Sequence, residues 1–591
     1  MQRRTFLGSV AAFPALLTAQ EGPPRPEPVE QQVAGAGPAI HLNHLGFLPQ
    51  TGRKILVVRD AGTPAPREFT VRDVGFTPFH LTAPLRAQAS DFGPVWLGDF
   101  SDLARPGMYQ VTVGRERSVP FFIGEEVWRK TLPKAVGYYR FQRCGVAVPL
   151  VHPACHLDDA VRRDTGEHVD EVGGWHDAGD LRKWMDVTML NAIVLLRLID
   201  DRPTPRPGEP THAAILDEVR YGNRYFLKMQ DSDGRVWHDT AGGVNGDNSD
   251  NRWTDDIIGT ADDRHINVSK PERACAEFAL LQALVARHYR DSDPAYAANS
   301  LAAARRAWNA SHHGGGTTDL AWWAQAAGEL FRVTGEVPFR QEALRLGDLV
   351  VARQAAAFLY GQQELRGFWL TAGADDPHAQ PLVDIVNSAQ PALALLRLAA
   401  LFPDAASRPR WQAAVALYLD AYVRPQCARN AYAILPSGMY RGAPSPEHYR
   451  PLAGELTYRY FLPTRKQFWW QGGNCHLAAH AELLGRAAAV STAAGDAPRA
   501  AAYTDLAYRQ LEWIVGANPF AACMMTGEGM RNPYPHSRFV GLIPGGIMNG
   551  IAGNPDDQPI LDQEYGMDWR TCEYWSPHVA YYIAALGILD A

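Results

Sequence analysis

Two patterns of apolar residues divide the chain. Between about residues 40 and 124, short runs rich in β-branched and aromatic residues are separated by Gly and Pro, as in strands joined by turns. The runs are "KILVVRD", "REFTVRDV", "GMYQVTVG" and "SVPFFIG". Their regular spacing, without helical stretches, predicts a small β-sandwich of about 85 residues.

After Glu125 the apolar residues recur at helical spacing. Ile215, Val219, Gly222 and Phe226, for example, fall on one face of a helix. Similar spacing predicts further helices at 186–199, 272–289, 299–309, 319–334, 341–358, 388–402, 410–423, 474–490 and 576–589. About ten to twelve helices with almost no strands favour a mainly α domain, a helical toroid rather than several bundles.

The first twenty residues, "MQRRTFLGSVAAFPALLTAQ", have the layout of an export signal. Arg3 and Arg4 precede an apolar stretch that ends in small residues near Ala19, and the Arg-Arg-x-Phe-Leu order is similar to a twin-arginine signal. We therefore predict a signal at 1–19, a Pro/Gly-rich spacer at 20–38, the sandwich at 39–124 and the helical domain at 125–591. The predicted location is the periplasm or the medium.

The net charge and composition of the chain argue against some classes of function. A net charge of −7 provides no basic field for nucleic acid. No later segment reaches 18 uninterrupted apolar residues, so no membrane span is predicted. The chain is rich in aromatic residues, with 16 Trp and 22 Tyr, whose flat rings could serve as platforms for sugars. We expect a monomer with no nucleic-acid partner and no membrane span.

The segment "GGWHDAGD" at 173–180 places Asp177 and Asp180 close together, with His176 beside them. One interpretation is a turn with a helix cap, because a predicted helix follows Asp180. The other is chemical: two neighbouring carboxylates position a water and accept its proton, and each perturbs the pKa of the other.

Two later segments carry further polar side chains. "NPYPHSRF" holds His536 and Arg538, which could bind sugar hydroxyls, although such a pair is more often found on a plain surface. The acidic loop 553–578 precedes the last helix, and most of its carboxylates are expected to be solvated. One carboxylic acid held near Trp569 and Trp575 would keep a raised pKa and donate a proton.

Ordered motifs along nearly the whole chain resemble glycoside hydrolase family 9, in the subgroup with an N-terminal immunoglobulin-like domain. The sandwich and its junction are similar in "HLNHLGFLP", "DFSDLARPGMYQVTVG" and "PFFIGEEVWRKTLPKAVGYYRFQRCG". The helical part is similar in "GGWHDAGD", "QGGN" at 471–474, and "IVGANPF", "MTGEG" and "YPHSRF".

The resemblance implies an (α/α)6 barrel that hydrolyses β-1,4-glycosidic bonds with inversion. Asp180 would be the general base, Asp177 would help to hold the water, and Glu573 would be the general acid. His536 and Arg538 would bind the sugar. The segment "TCEYWSP" departs from the family pattern, with a cysteine where Asn is usual, so Glu564 is the alternative acid.

The predicted activity is that of an endo-β-1,4-glucanase acting on cellulose-like β-glucans. Exo-acting β-glucosidase or exo-β-glucosaminidase activity is an alternative within the fold, and a carbohydrate-binding protein without catalysis is another. Seven tryptophans are candidate sugar platforms, Trp253 and Trp469 first among them, although the helix-borne pair 322–323 fits the core equally well. All are in the helical part: Trp237, Trp253, Trp322, Trp323, Trp369, Trp469 and Trp470.

Metal binding is also predicted. Cys144, Cys155, His156 and His176 provide the two thiolates and two imidazoles that tetrahedral zinc prefers, although their spacing matches no zinc finger. The alternative is two buried cysteines with incidental histidines. The resemblance implies a structural zinc that anchors the loop carrying the aspartates. It also allows calcium bound by loop oxygens, for which 245–256 could provide some, with ligands unassigned.

Overall fold

The computed structural model describes residues 37–59, 67–75, 78–243, 248–355, 358–360, 363–373, 376, 378–443, 445–463, 470–538 and 542–590. The predicted export signal, nearly all of the spacer, and Trp469 lie outside these ranges. Every helix within them is too short or too polar to cross a bilayer.

The N-terminal part forms the predicted sandwich. Its strands are β1 Ile40–His41, β2 Gly46–Phe47, β3 Ile55–Arg59, β4 Glu68–Asp73, β5 His80–Gln88, β6 Val95–Asp99, β7 Gly107–Val113, β8 Glu116–Arg117 and β9 Phe121–Ile123. They pair in the order β1-β3-β6-β5-β4-β7-β9-β2, with β8 on β7. Strand β5 links both sheets, because its first half pairs with β4 and its second half with β6. Apolar side chains such as Phe69, Val71 and Phe121 fill the space between the sheets.

Helices dominate the remainder of the chain. They are α1 Leu132–Phe141, α2 Met185–Asp201, α3 His212–Lys228, α4 Glu272–His288, α5 Pro294–Asn309, α6 Thr317–Thr334, α7 Val337–Ala352, α8 Gln390–Leu401, α9 Arg408–Leu417, α10 Arg424–Cys427, α11 Asn474–Ala493, α12 Ala497–Ile514, α13 Trp569–Cys572 and α14 Ser576–Leu589. A π-helical segment, Tyr418–Val423, joins α9 to α10. The helix predicted at 341–358 ends earlier, at Ala352.

Six of these helices close into an inner ring. Contacts run from α2 to α4, α6, α8, α11 and α14, and α14 packs back on α2. The outer helices α1, α3, α5, α7, α9 and α12 each pack on a ring helix. The ring helices are buried nearly all round, as expected for helices at the centre of a large core. The arrangement is the predicted (α/α)6 barrel.

Short strands in the loops of the barrel were not predicted. They are β10 Val161–Arg162, β11 Lys183–Trp184, β12 Asp239–Thr240, β13 His265–Asn267, β14 Phe358–Tyr360, β15 Gln363–Leu365, β16 Gly438–Arg441, β17 Arg450–Ala453, β18 Leu456–Arg459, β19 Leu462–Pro463, β20 Trp470–Gln471, β21 Ala552–Gly553 and β22 Pro559–Ile560. All thirteen are two to four residues long, too short for alternation of apolar and polar residues to reveal them.

The sandwich docks on the barrel beside these loops. The His44 amide donates to the Val515 carbonyl at 2.9 Å, just beyond α12. Phe92 packs on Tyr460 with ring centroids 4.6 Å apart, and the Tyr460 hydroxyl donates to Asp91 at 2.7 Å. The sandwich therefore supports the loop carrying β16–β18 from one side.

Candidate active site

Loops preceding α2 and α14 meet at the N-terminal ends of these two neighbouring ring helices. The Gly179 amide donates to the Tyr574 carbonyl at 2.9 Å, and the Ser576 amide to the Asp177 carbonyl at 2.8 Å. From a third loop, the Arg538 amide donates to the Gly179 carbonyl at 2.8 Å. Backbone hydrogen bonds therefore hold the first aspartate segment, the His/Arg segment and the final acidic loop together.

His536 lies directly beside Glu573. Its amide donates to the Cys572 carbonyl at 3.0 Å, and His536 and Glu573 form a parallel bridge. The His536 ring is oriented by Nδ1, which lies 2.8 Å from the Gly566 carbonyl oxygen. The Glu573 carbonyl in turn accepts from the Asn549 amide at 2.8 Å. The chain thus fixes the backbone of both residues.

Gly179 makes this close approach possible. A Cβ at this position would overlap the His536 carbonyl oxygen and would lie 3.2 Å from Cγ of Glu573. The absence of a side chain therefore allows the loop with both aspartates to contact the loop carrying Glu573.

We expect Gly179→Ala to push the two loops apart. The overpacking should destabilise the fold by about 1–3 kcal/mol and lower the hydrolysis rate by about 10- to 100-fold, because reacting groups lose their alignment. Gly137→Ala is the matched control, since a Cβ there meets nothing within 4 Å. Denaturation and rate measurements on both variants check this; a fully active Gly179→Ala enzyme would contradict it.

Asp177 is buried, with 3% of its surface exposed. The Trp575 indole Nε1–H donates to its Oδ2 at 3.2 Å. Burial, and then the charge of Asp180, raise the pKa of Asp177 well above its usual range.

Asp180 receives two hydrogen bonds. The Asn251 side-chain amide donates to Oδ2 at 2.8 Å, and the Arg182 amide donates to Oδ1 at 3.1 Å. Burial raises the pKa of Asp180, while these donors and the charge of Arg538 oppose the rise. Asn251 was missed as a site residue, because nothing in "NSDNRW" separates it from its polar neighbours.

Glu573 shares the electrostatic environment of both aspartates. Burial, then the charges of Asp180 and Asp177, raise the pKa of Glu573 well above its usual range, and Arg538 opposes them. The alternative acid, Glu564, is an exposed residue of the acidic loop. Its amide donates to Asp562, in the turn that precedes α13. Glu573, rather than Glu564, is thus the glutamate whose pKa the charges of both aspartates raise.

Only one of the candidate sugar platforms whose side chains the structure describes is exposed. Trp253 has 41% of its surface exposed and stacks on the His156 ring, with centroids 5.7 Å apart and planes at 8°. The others are buried, which corrects the prediction that they could serve as platforms; they are Trp237, Trp322, Trp323 and Trp369. These four rings pack in the barrel core.

The four predicted metal ligands lie together. Sγ of Cys144 and Cys155 and one ring nitrogen each of His156 and His176 are within 4.8 Å of one another, and all four residues are buried. His156 Nδ1 is 3.5 Å from Sγ of Cys144, while Nε2 lies 3.1 Å from the carbonyl of Arg252. Such a carbonyl contact orients metal-binding imidazoles. The donor set fits a tetrahedral soft metal ion.

This cluster is joined to the aspartate loop. The His176 amide donates to the Gln142 carbonyl at 2.8 Å, and the Cys144 amide donates to the Gly174 carbonyl at 2.9 Å. Because His176 immediately precedes Asp177, the cluster and the loop that carries the aspartates share one backbone segment.

The predicted calcium segment has other contacts. Asn251 binds Asp180, and Asp250 pairs with His265 at 2.9 Å. Nearby, carboxylates of Asp158, Asp262 and Asp263 lie within 4.8 Å of one another. Calcium stays a prediction without assigned ligands.

The chain thus combines an (α/α)6 barrel with three neighbouring carboxyl groups at the place where its loops meet. The family model "Glycosyl hydrolase family 9" matches residues 128–544, and "Cellulase N-terminal ig-like domain" matches 35–118. The chain belongs to glycosyl hydrolase family 9. The family match ends before the acidic loop, so the choice of Glu573 depends on the geometry above.

The chain is similar to Endoglucanase D of Acetivibrio thermocellus, with 27% identity over 291 residues. That match covers 45% of this chain and 44% of the relative, so the chain spans less than half of its length. A metagenome-derived family 9 endoglucanase has the same fold, with a TM-score of 0.69, 23% identity, and coverage of 93% of this chain and 98% of the other. A "Zn-binding triple mutant of GH family 9 endoglucanase J30" gives a TM-score of 0.66, 25% identity, and coverage of 92% and 99%.

Proposed function

We propose that the protein is an inverting endo-β-1,4-glucanase acting on cellulose-like β-glucans. The observation that carries this proposal is the meeting of Glu573 with the Asp177–Asp180 loop, through backbone hydrogen bonds and mutual electrostatic effects. Membership of the family and the endoglucanases among its relatives support the reaction class.

In the proposed mechanism, ionised Asp180 accepts a proton from a water as that water attacks the anomeric carbon. Asp177 holds the same water, which gives a reason for two neighbouring carboxylates. Glu573 gives its proton to the leaving glycosidic oxygen as the C–O bond breaks. Asp180 then carries a proton and Glu573 is ionised, and exchange with solvent restores both.

Electrostatics support this division of roles. The amide donors on Asp180 favour its ionised form, as a base requires. Burial and two neighbouring carboxylates keep the proton on Glu573, as an acid requires. A binding protein without catalysis would have no need for three mutually repelling carboxyl groups in one place, so we favour the enzyme.

His536, Arg538 and Trp253 are proposed to bind the sugar. Arg538 is exposed, and its charge acts on both Asp180 and Glu573. Trp253 presents an exposed ring beside the segment that holds Asp180. The role of Trp469 stays a prediction, since it lies outside the described residues.

A substrate panel tests the proposal. Carboxymethyl cellulose, mixed-linkage glucan, xyloglucan and chitosan oligomers should be incubated with wild type, and viscosity and reducing ends followed together. Endo action on cellulose-like glucans predicts that viscosity falls early, before many reducing ends appear. Slow viscosity loss with monosaccharide release would show exo action, and no release from any substrate would refute the enzyme.

We further propose that Cys144, Cys155, His156 and His176 bind a structural zinc. When bound, zinc would supply a closed tetrahedral anchor for the loop that carries the aspartates, with no part in the reaction. The mutual proximity of the four ligand atoms supports this. Export through the twin-arginine-like signal and a monomeric state stay proposals from the sequence.

Purified wild-type protein is expected to contain about one equivalent of zinc, measured by elemental analysis. Cys144→Ala should lose the metal and lower Tm by about 5–10 °C, because metal binding contributes to folding free energy. Cys427→Ala, at a buried cysteine that is not part of the cluster, should retain the zinc. Less than half an equivalent in the wild type would refute the site.

A further inference from the structure

A cavity opens at the end of the barrel opposite the loops that carry Asp177, Asp180 and Glu573. It has a volume of about 350 Å³, and the ring helices α2, α4, α6, α8 and α11 line it. Arg197 on its wall follows the start of α2 by twelve residues, about 18 Å at the helical rise. The cavity is therefore separate from the catalytic loops.

Three guanidinium groups converge in this cavity: those of Arg197, Arg397 and Arg486. Arg197 and Arg397 both donate to the same neutral acceptor, Oε1 of Gln325, at 2.9 and 2.6 Å. Two cations thus share one amide oxygen. Such an arrangement brings like charges together in a place of restricted hydration.

The carboxylates present leave one cation without an ion pair. Glu482 pairs with Arg397 at 2.7 Å and with Arg486 at 2.8 Å, and Arg486 also pairs with Asp201 at 2.6 Å. Within the described residues no carboxylate lies at ion-pair distance from Arg197. The cavity wall and the residues ion-paired to it together carry five guanidinium groups and four carboxylates, so one positive charge is in excess; the groups are those of Arg197, Arg287, Arg332, Arg397 and Arg486, and of Asp200, Asp201, Glu329 and Glu482.

The pKa of Arg197 shows the effect of this excess charge and of burial. Burial, followed by the charge of Arg397, holds the pKa of the Arg197 guanidinium well below its usual range. A bound anion would reverse both effects, since it replaces lost hydration and neutralises the excess charge.

We propose that this cavity binds a small monocarboxylate. One negative charge balances the excess, and a planar carboxylate matches the fork of a guanidinium. Four leucines also line the cavity and suit a short aliphatic tail: Leu280, Leu284, Leu398 and Leu401. Arg332, whose side chain is 45% exposed, stands at the rim, so the cavity is reached from solvent.

Saturation-transfer NMR with sodium butyrate as the probe tests the proposal on the full chain. Wild type is expected to transfer saturation to the butyrate methyl group, and Arg197→Met should reduce that signal at least fivefold. Arg424→Met is the matched control, because Arg424 is 48% exposed on the short helix α10. This control should give the wild-type signal.

A thermal measurement keeps the test decisive if Arg197→Met folds poorly. Butyrate at ten times its Kd should raise the Tm of wild type by about 1–2 °C over chloride at equal ionic strength. No signal and no Tm rise with wild type would overturn the proposal, as would equal signals from wild type and Arg197→Met. A Tm rise with inorganic phosphate but not with butyrate would overturn the carboxylate assignment. Glucan hydrolysis should be unchanged in Arg197→Met. The carboxylate site and the glucanase activity are therefore tested independently of each other.

Discussion

Asp180→Asn is expected to lower kcat on soluble cello-oligosaccharides by about 10³- to 10⁴-fold, because the attacking water loses the base that takes its proton. The amide is nearly isosteric, and its single oxygen can still accept one of the two hydrogen bonds, that from the Arg182 amide. Binding and folding should therefore be retained, with KM and Tm close to those of wild type.

Chemical rescue separates loss of the base from general damage. In Asp180→Ala, azide needs no deprotonation and should restore turnover by forming a glycosyl azide of inverted configuration. Asp170→Asn is the matched control, since Asp170 lies in the same region with 70% of its side chain exposed. Asp180→Asn with more than a tenth of wild-type activity would show that another group is the base.

Glu573→Gln is the second variant with a large expected effect, a loss of about 10²- to 10⁴-fold on β-glucans. The loss should nearly vanish on a 2,4-dinitrophenyl cellobioside, whose leaving group departs without protonation. Glu564→Gln is the control and should keep wild-type activity on both substrates. The reverse result, with Glu564→Gln impaired and Glu573→Gln active, would make Glu564 the acid.

The pH dependence of kcat/KM provides an independent measurement on the same variants. Asp180 must be ionised and Glu573 protonated, so activity should fall at low pH and again at high pH. Because the pKa of Glu573 is raised, its proton is kept to higher pH and the alkaline limb lies well above the ordinary pKa of a carboxyl group. Glu573→Gln should lose the alkaline limb and keep the acid limb.

Most of the fold could be predicted from the chain alone. The ring helices have regular apolar spacing, so α2, α4, α6, α8, α11 and α14 were placed within a few residues. Strands β1, β2, β5, β6 and β8 were not among the predicted runs; β5, for example, has few β-branched residues, and most of its positions are exposed or half-buried. The hairpins around β16–β18 depend on tertiary contacts with the sandwich, which local pattern does not contain.

The sequence predicts the acidic residues of the site but not the residues that hydrogen-bond to them. "GGWHDAGD" identified Asp177 and Asp180, while the partners that hold them, Asn251 and Trp575, are 71 and 398 residues distant from their aspartates. Pairing at such separation is set by barrel closure. The choice between Glu573 and Glu564 likewise required knowing which carboxyl group meets Gly179.

In the proposed mechanism, Asp180 and Glu573 act from opposite sides of one glycosidic bond. Proton NMR of the first products from cellohexaose tests it most directly, because the anomeric signals appear before mutarotation. Direct attack by a water predicts that the new reducing ends are first released as the α anomer. Initial release of the β anomer would mean retention and would contradict the account.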